Sequence, residues 1–201
     1  MATVTGAAGR LPRAKRREQI LVAATRAFAR AGFAGTSLDD IATEAAVTRV
    51  LLYRHFESKT DLYHAVLNRV CALLTTHVDE PVGGFTGASV DGLLAAAADE
   101  PAGFRLLFVH AAREPEFQAC IDAFRTEMTN IAHAQIKAAV PDETWARWAA
   151  QLAPTVAVEA VIAWLDAGQP DAAAAADRIR RVIAGVIAAA GAPAQSSARR
   201  T

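Results

Sequence analysis

Residues 36–63 read TSLDDIATEAAVTRVLLYRHFESKTDLY, and three helix-start signatures crowd this one stretch. Ser37 stands three residues ahead of Asp40, and Ser58 three ahead of Asp61. In such a box the hydroxyl accepts a backbone N–H that would otherwise be unpaired at the helix start. Thr48, between them, can cap a helix of its own. The stretch therefore predicts two short helices, a tight turn at Val47 and the opening of a third helix. Leu38, Ile41, Ala42 and Ala45 recur at helical spacing and give the first helix an inward face. Leu52 and Phe56, one turn apart, do the same for the second, which is expected to reach about His55. Arg49, Val50, Tyr53 and Arg54 are left pointing outward.

A short helix braced by a neighbour and presenting Arg, Tyr and His suits the major groove of DNA. That groove admits one helix, and side chains near the helix N-terminus read the base edges. The stretch resembles the helix-turn-helix of the tetracycline-repressor (TetR) family of bacterial transcription regulators. The resemblance rests on Thr36–Ser37–Leu38, Ile41–Ala42 and Ala45–Ala46–Val47–Thr48. It rests above all on Leu52–Tyr53–Arg54–His55–Phe56 followed by Ser58–Lys59, and it covers about residues 13–66. It implies an all-α chain. An N-terminal three-helix DNA-binding domain over residues 13–57 would precede a helical ligand-binding and dimerisation domain over 58–190.

The resemblance also implies roles. Thr36 or Ser37, with Tyr53, His55 and Lys59, match positions that contact the DNA backbone, and Lys59 falls at a helix N-terminus that already favours phosphate. Thr48 opens the recognition helix. Arg49 is the best base reader, because Arg spans O6 and N7 of guanine with two hydrogen bonds. Val50 and Leu51 can press on thymine methyls, and Arg54 can reach phosphate. Two departures from the family pattern matter. Ala46 stands where Gly is usual, which costs on the order of 1 kcal/mol if the turn needs positive φ. Val50 and Leu51 replace small or hydroxylated residues, implying fewer hydrogen bonds to bases and more reading of shape and methyl groups.

The charge distribution agrees. The net charge is zero. Yet from Arg10 to Thr60 there are ten Lys/Arg against five Asp/Glu, and from Asp61 onward eleven against sixteen. A basic quarter on an acidic body is the footprint of a polyanion partner at one end. With 201 residues, 53% of them apolar and Ala foremost, the chain can form one sizeable helical domain or two small ones. No apolar run reaches the ~20 residues needed to cross a bilayer. Together with an N-terminus unlike a secretory signal, this predicts a cytoplasmic protein. Cys71 and Cys120 are expected as two buried thiols in a reducing compartment.

The remaining helices follow from periodicity and breakers. A first helix is predicted over 13–31, with Ile20, Ala24, Ala27 and Phe28 inward and Arg13, Lys15, Arg16 and Arg17 at its start. Gly32 suits a left-handed cap. Helices are expected from 58 to 76, 90 to 98, 101 to 113, 114 to 139, 142 to 167 and 171 to 190. Residues 1–12, 79–89 and 191–201 are expected as tails and a loop. Pro154 should kink or split its helix.

In such a family the effector occupies a cavity in the body. Candidate lining residues are His77, Phe104, Phe108, His110, Phe117, Phe124, Met128 and Trp164, whose character points to a small apolar ligand. The last two helices carry more apolar surface than one domain can hide, which predicts a homodimer through a four-helix bundle. Leu152, Val156, Ile162, Ile179, Val182, Ile183 and Val186 are its candidate contacts. The reading is thus a dimeric repressor released from a palindromic operator by an effector, with double-stranded DNA as partner and no membrane. The alternatives are a constitutive or protein-controlled regulator without a ligand and, further off, an α-helical enzyme. No metalloprotease, phosphate-loop or nucleophile-elbow motif occurs, and no cofactor or metal is expected.

Overall fold

The computed structural model describes residues 12–78 and 87–192, with the side chains of residues 87, 88 and 120 left out. The tails expected at 1–12 and 191–201 and the loop at 79–89 lie mainly outside the described residues, as does the Cys120 thiol. All regular structure among the described residues is helical. The chain divides into two compact units, Met1–Arg69 and Val70–Thr201. The division falls inside a long helix, not at the 57/58 boundary predicted from its start.

The first unit holds α1 (Arg13–Gly35), α2 (Leu38–Glu44), α3 (Arg49–Tyr53) and the first half of α4 (Lys59–Val78). The predicted α1 stripe is fully inward: Ile20, Ala24, Ala27 and Phe28 are buried. Gly32 interrupts α1 at φ 69°, the left-handed conformation foreseen for it. The bend brings Phe33 back, so that Phe28, Phe33 and Tyr63 meet. Tyr63 stands edge-on to Phe28 at 4.7 Å and to Phe33 at 5.1 Å. Leu62, Tyr63, Val66 and Leu67 of α4 are buried, which is why half of α4 belongs to this unit.

The second unit holds the rest of α4, then α5 (Gly87–Asp99), α6 (Pro101–Arg105), α7 (Gln118–Ala139), α8 (Glu143–Asp166) and α9 (Ala172–Gly191). The single helix expected over 101–113 is three pieces: α6, a wide turn at Leu106–His110 and a tight turn at Ala111–Arg113. Asp142 caps α8 by accepting from the N–H groups of Thr144 and Trp145, and Asp171 caps α9 in the same way.

Helix α8 lies between α7 and α9. Ala146, Ala149, Ala150, Ala153 and Ala157 are fully buried along it, small enough to let the backbones approach closely. Pro154 does not split it; the helix is continuous from Glu143 to Asp166. By length and composition α8 could cross a membrane, with mean hydropathy 1.4. Its charges at Arg147 and Glu159 kept it from reading as an unbroken apolar run. Gly92 of α5 faces the end of α4 so closely that a Cβ would fall 2.2 Å from the His77 carbonyl oxygen. The two helices meet backbone to backbone there.

Candidate functional sites

The turn between α2 and α3 is built by local chemistry. Ser37 Oγ accepts the Asp40 N–H at 3.1 Å, and an Asp40 carboxylate oxygen accepts the Ser37 N–H at 2.9 Å, closing the capping box. The Ser37 hydroxyl, then its N–H, hold the Asp40 carboxyl below the usual carboxylate range. The chain reverses through Ala46 at φ 50°, and the Val47 N–H donates to the Ala42 carbonyl at 2.9 Å. Thr48 then caps α3 by accepting the Leu51 N–H at 3.2 Å. Leu52 and Phe56 fix the helix from below, both buried. The second Ser-x-x-Asp pair opens α4: Ser58 Oγ accepts the Asp61 N–H at 3.0 Å, and the Asp61 carboxylate accepts the Glu57 N–H at 3.0 Å.

On the outer side of α3, Arg49, Val50, Tyr53 and Arg54 are exposed and Leu51 is half-buried. Val50 is 67% exposed and Tyr53 47%, unusual for large apolar groups. The Arg49 Nη1 donates to Asp39 Oδ2 of α2 at 2.8 Å, and its Nη2 reaches the Tyr53 hydroxyl at 3.4 Å. The guanidinium carbon lies 5.7 Å from the centre of the Tyr53 ring. His55 is half-buried. Burial, then Arg13, Arg17 and Arg16, hold its imidazole below its ordinary pKa. Arg13, Lys15 and Arg17 are exposed at the start of α1, with Arg17 over the Phe56 ring at 5.0 Å.

Two expected backbone contacts are engaged inside the unit. Thr36 is 3% exposed, and its hydroxyl donates to the carbonyls of Gly32 and Ala27. It ties the bent end of α1 and has no free group to offer; Ser37 is the exposed member of that pair. The Lys59 ammonium donates to the Phe33 carbonyl at 2.8 Å and the Thr36 carbonyl at 3.0 Å, and lies 4.3 Å from the centre of the Phe33 ring. It fastens the start of α4 to the α1–α2 turn. The family resemblance pointed to both residues but not to the carbonyls at the bent end of α1 that engage them.

The second unit contains a cavity of about 650 Å³. Leu74, Val78, Leu93, Phe108, Phe124, Met128, Ile131, Pro154 and Val158 give it apolar walls, with Arg125, Gln151, Thr155 and Glu159 among its polar members. Of the candidates from sequence, Phe108, Phe124 and Met128 line it. Phe104 is buried behind Phe108, ring centres 4.7 Å apart. Phe117 is plain core, and the Trp164 indole N–H donates to the Pro170 carbonyl at 2.5 Å, closing the end of α8. His77 turns to the Leu73 carbonyl and the Asp99 carboxylate, and His110 is half-buried outside the lining. The missed residues come from four helices whose faces converge, a convergence that no single helix announces.

The expected dimer contacts also sort themselves. Ile179 and Ile183 are buried in their own unit, because α9 presents Ala176, Ile179 and Ile183 inward. Val182 is 51% exposed, while Leu152, Val156, Ile162 and Val186 are half-buried. Trp145 and Trp148 extend the apolar surface at the start of α8, edge-to-face at 5.9 Å. Gly185, one turn from Val182, has open space where a Cβ would stand.

The match to a family model falls on the first unit. The family model described as bacterial regulatory proteins, tetR family, matches residues 20–66. The HTH-type transcriptional activator FasR of Mycolicibacterium smegmatis is 45% identical over 75 residues, 37% of this chain and 31% of that protein. The HTH-type transcriptional regulator TtgR of Pseudomonas putida is 50% identical over 52 residues, 26% of this chain and 25% of that one. The chain thus spans a third or less of these two relatives. Among solved structures, a TetR-like transcriptional regulator from Rhodococcus sp. RHA1 matches 89% of this chain and 99% of its own at a TM-score of 0.75 and 22% identity. A tetR-family regulator from Streptomyces coelicolor matches 90% and 83% at 0.67 and 23%. These two likenesses extend over both units and carry the fold. Residues 20–66 thus carry a helix-turn-helix of the kind found in the tetR family of bacterial regulatory proteins.

Proposed function

We propose that this chain is a ligand-responsive, DNA-binding transcriptional regulator, a homodimeric cytoplasmic repressor released from a palindromic operator by a small apolar molecule. The observation that carries the reading is α3: a capped five-residue helix anchored by Leu52, with Arg49, Val50, Tyr53 and Arg54 outward beside the basic start of α1. Arg49 reads a base, Val50 meets thymine methyls, and Tyr53, Arg54, Ser37 and the N-terminus of α4 position the unit on phosphates. Two copies, joined through the outward faces of α8 and α9, place two α3 helices in successive major grooves about 34–36 Å apart.

The body supplies the switch. A 650 Å³ cavity walled by Phe108, Phe124, Met128 and Val158 has the size and apolar character of a small-molecule site. A ligand preferring the conformation with the wrong spacing weakens DNA binding by its differential affinity for the two states. FasR is named an activator, and BepR of Brucella suis a repressor. Each is matched over less than a third of its own length, so repression rests on operator occupancy alone.

Selection of duplexes from a random library by the purified protein tests the reading. A palindrome bound at least tenfold more tightly than random duplex at modest salt is expected. Equal binding would sink it. A panel of apolar molecules should then raise the melting temperature and lower operator affinity together. If none does so, regulation is constitutive or controlled by a protein.

A further inference from the structure

Asp39 is the acidic residue closest to the proposed base reader, and nothing in the helix-turn-helix pattern calls for it. It lies in the first turn of α2, where the capping box uses Asp40. Its carboxylate reaches across to α3 and accepts from Arg49 Nη1 at 2.8 Å. Both side chains are largely exposed, 65% and 54%. Such a pair adds little to stability in water, so folding alone does not account for it. The Tyr53 hydroxyl and ring flank the same guanidinium on the other side.

We propose that Asp39 is a specificity-determining positioning residue, which aims the Arg49 guanidinium at a base and away from the phosphates. This rests on the DNA-binding reading above. An Arg at the edge of the groove has two competing targets, the phosphate oxygens and the acceptors of guanine. Phosphate contact carries no sequence information. A carboxylate beside the guanidinium repels phosphate and fixes the plane of the fork. Arg has five N–H donors. With one given to Asp39 and one to Tyr53, Nε and one donor on each terminal nitrogen remain, enough for the two-bond contact to O6 and N7. When the helix docks and water leaves, the Asp39–Arg49 attraction strengthens as the local dielectric falls. Asp39 therefore acts most where discrimination is made.

The test compares duplexes differing at one base pair per half-site, using the full-length protein and the palindrome that it selects. Asp39→Asn keeps the size and removes the charge. The preferred-to-altered affinity ratio is expected to fall about three- to tenfold, while affinity for random duplex rises as a negative charge leaves the interface. In an Arg49→Ala background the same substitution should leave the ratio unchanged. A ratio untouched by Asp39→Asn would show that the acid is only a charge and overturn the proposal. So would an equal change of ratio with and without Arg49. If wild type selects no palindrome, the DNA-binding reading falls first, on that arm alone, and the role of Asp39 falls with it. Melting curves of the variants confirm folding, and Asp39→Ser, of similar polarity and smaller size, must reproduce the result.

Discussion

Ala46 turns the chain between α2 and α3 at φ 50°, where a Cβ crowds the backbone and glycine is at ease. Strain of about 1–2 kcal/mol, less the extra unfolded-state entropy of Gly, makes Ala46→Gly stabilising by up to about 1 kcal/mol. Urea unfolding of the variant should show a raised midpoint at unchanged slope; a lowered midpoint would mean that the turn is not strained. His55 offers a prediction with a sign in each state. In the free protein its pKa is depressed by burial and by Arg13, Arg17 and Arg16. The unfolded chain therefore takes up the proton first, near pH 6.5. His55 thus withdraws stability as pH falls through that value, down to its lower folded pKa. A phosphate beside the imidazole reverses the preference. Operator binding should then take up a proton and tighten as pH drops from about 7.5 to 5.5. His55→Gln should flatten that dependence in binding titrations. An unchanged slope would remove His55 from the phosphate contacts.

At the scale of the element, what could be read in advance was the chemistry that acts within a few residues. Ser37, Thr48 and Ser58 cap where their spacing says, because a hydroxyl finds an N–H three positions on whatever the rest of the chain does. Gly32 breaks α1 for an equally local reason. Pro154 is the counterexample. A prolyl residue has no N–H for the Ala150 carbonyl and should break a free helix. Here buried alanines on both sides of Pro154 hold α8 between α7 and α9, so tertiary packing overrides the local preference. The partners of Lys59 and most of the cavity wall were hidden for the same reason, since they are set by how helices meet. Replacing Pro154 by Ala restores the missing hydrogen bond and should stabilise the chain by about 1–3 kcal/mol. It also trims the cavity wall, so an effector's affinity should change with it. Calorimetry with and without effector separates the two effects, and a destabilised variant would show that the proline ring is itself needed for packing.

For the whole molecule, the proposed palindrome requires two copies, and the outward surface of the second unit offers a place for them to meet. Val182 and Gly185 lie on the outward face of α9, and Trp148 on the surface of α8. A glycine inside a helix costs about 1 kcal/mol against alanine and needs a reason. Open space at its missing Cβ shows that the reason is not packing within one copy. Close approach of a second copy's helix supplies one. Gly185→Leu should therefore act in opposite directions on two measurements. The isolated chain gains helix propensity and should unfold later, whereas the pair loses its close contact and should dissociate at higher concentration. Sedimentation velocity across the micromolar range reads the second effect, and denaturation at a concentration where the protein is monomeric reads the first. Loss of pairing without loss of fold would also lower affinity for the full palindrome while sparing the half-site. A variant that pairs as tightly as wild type would place the interface elsewhere on the body.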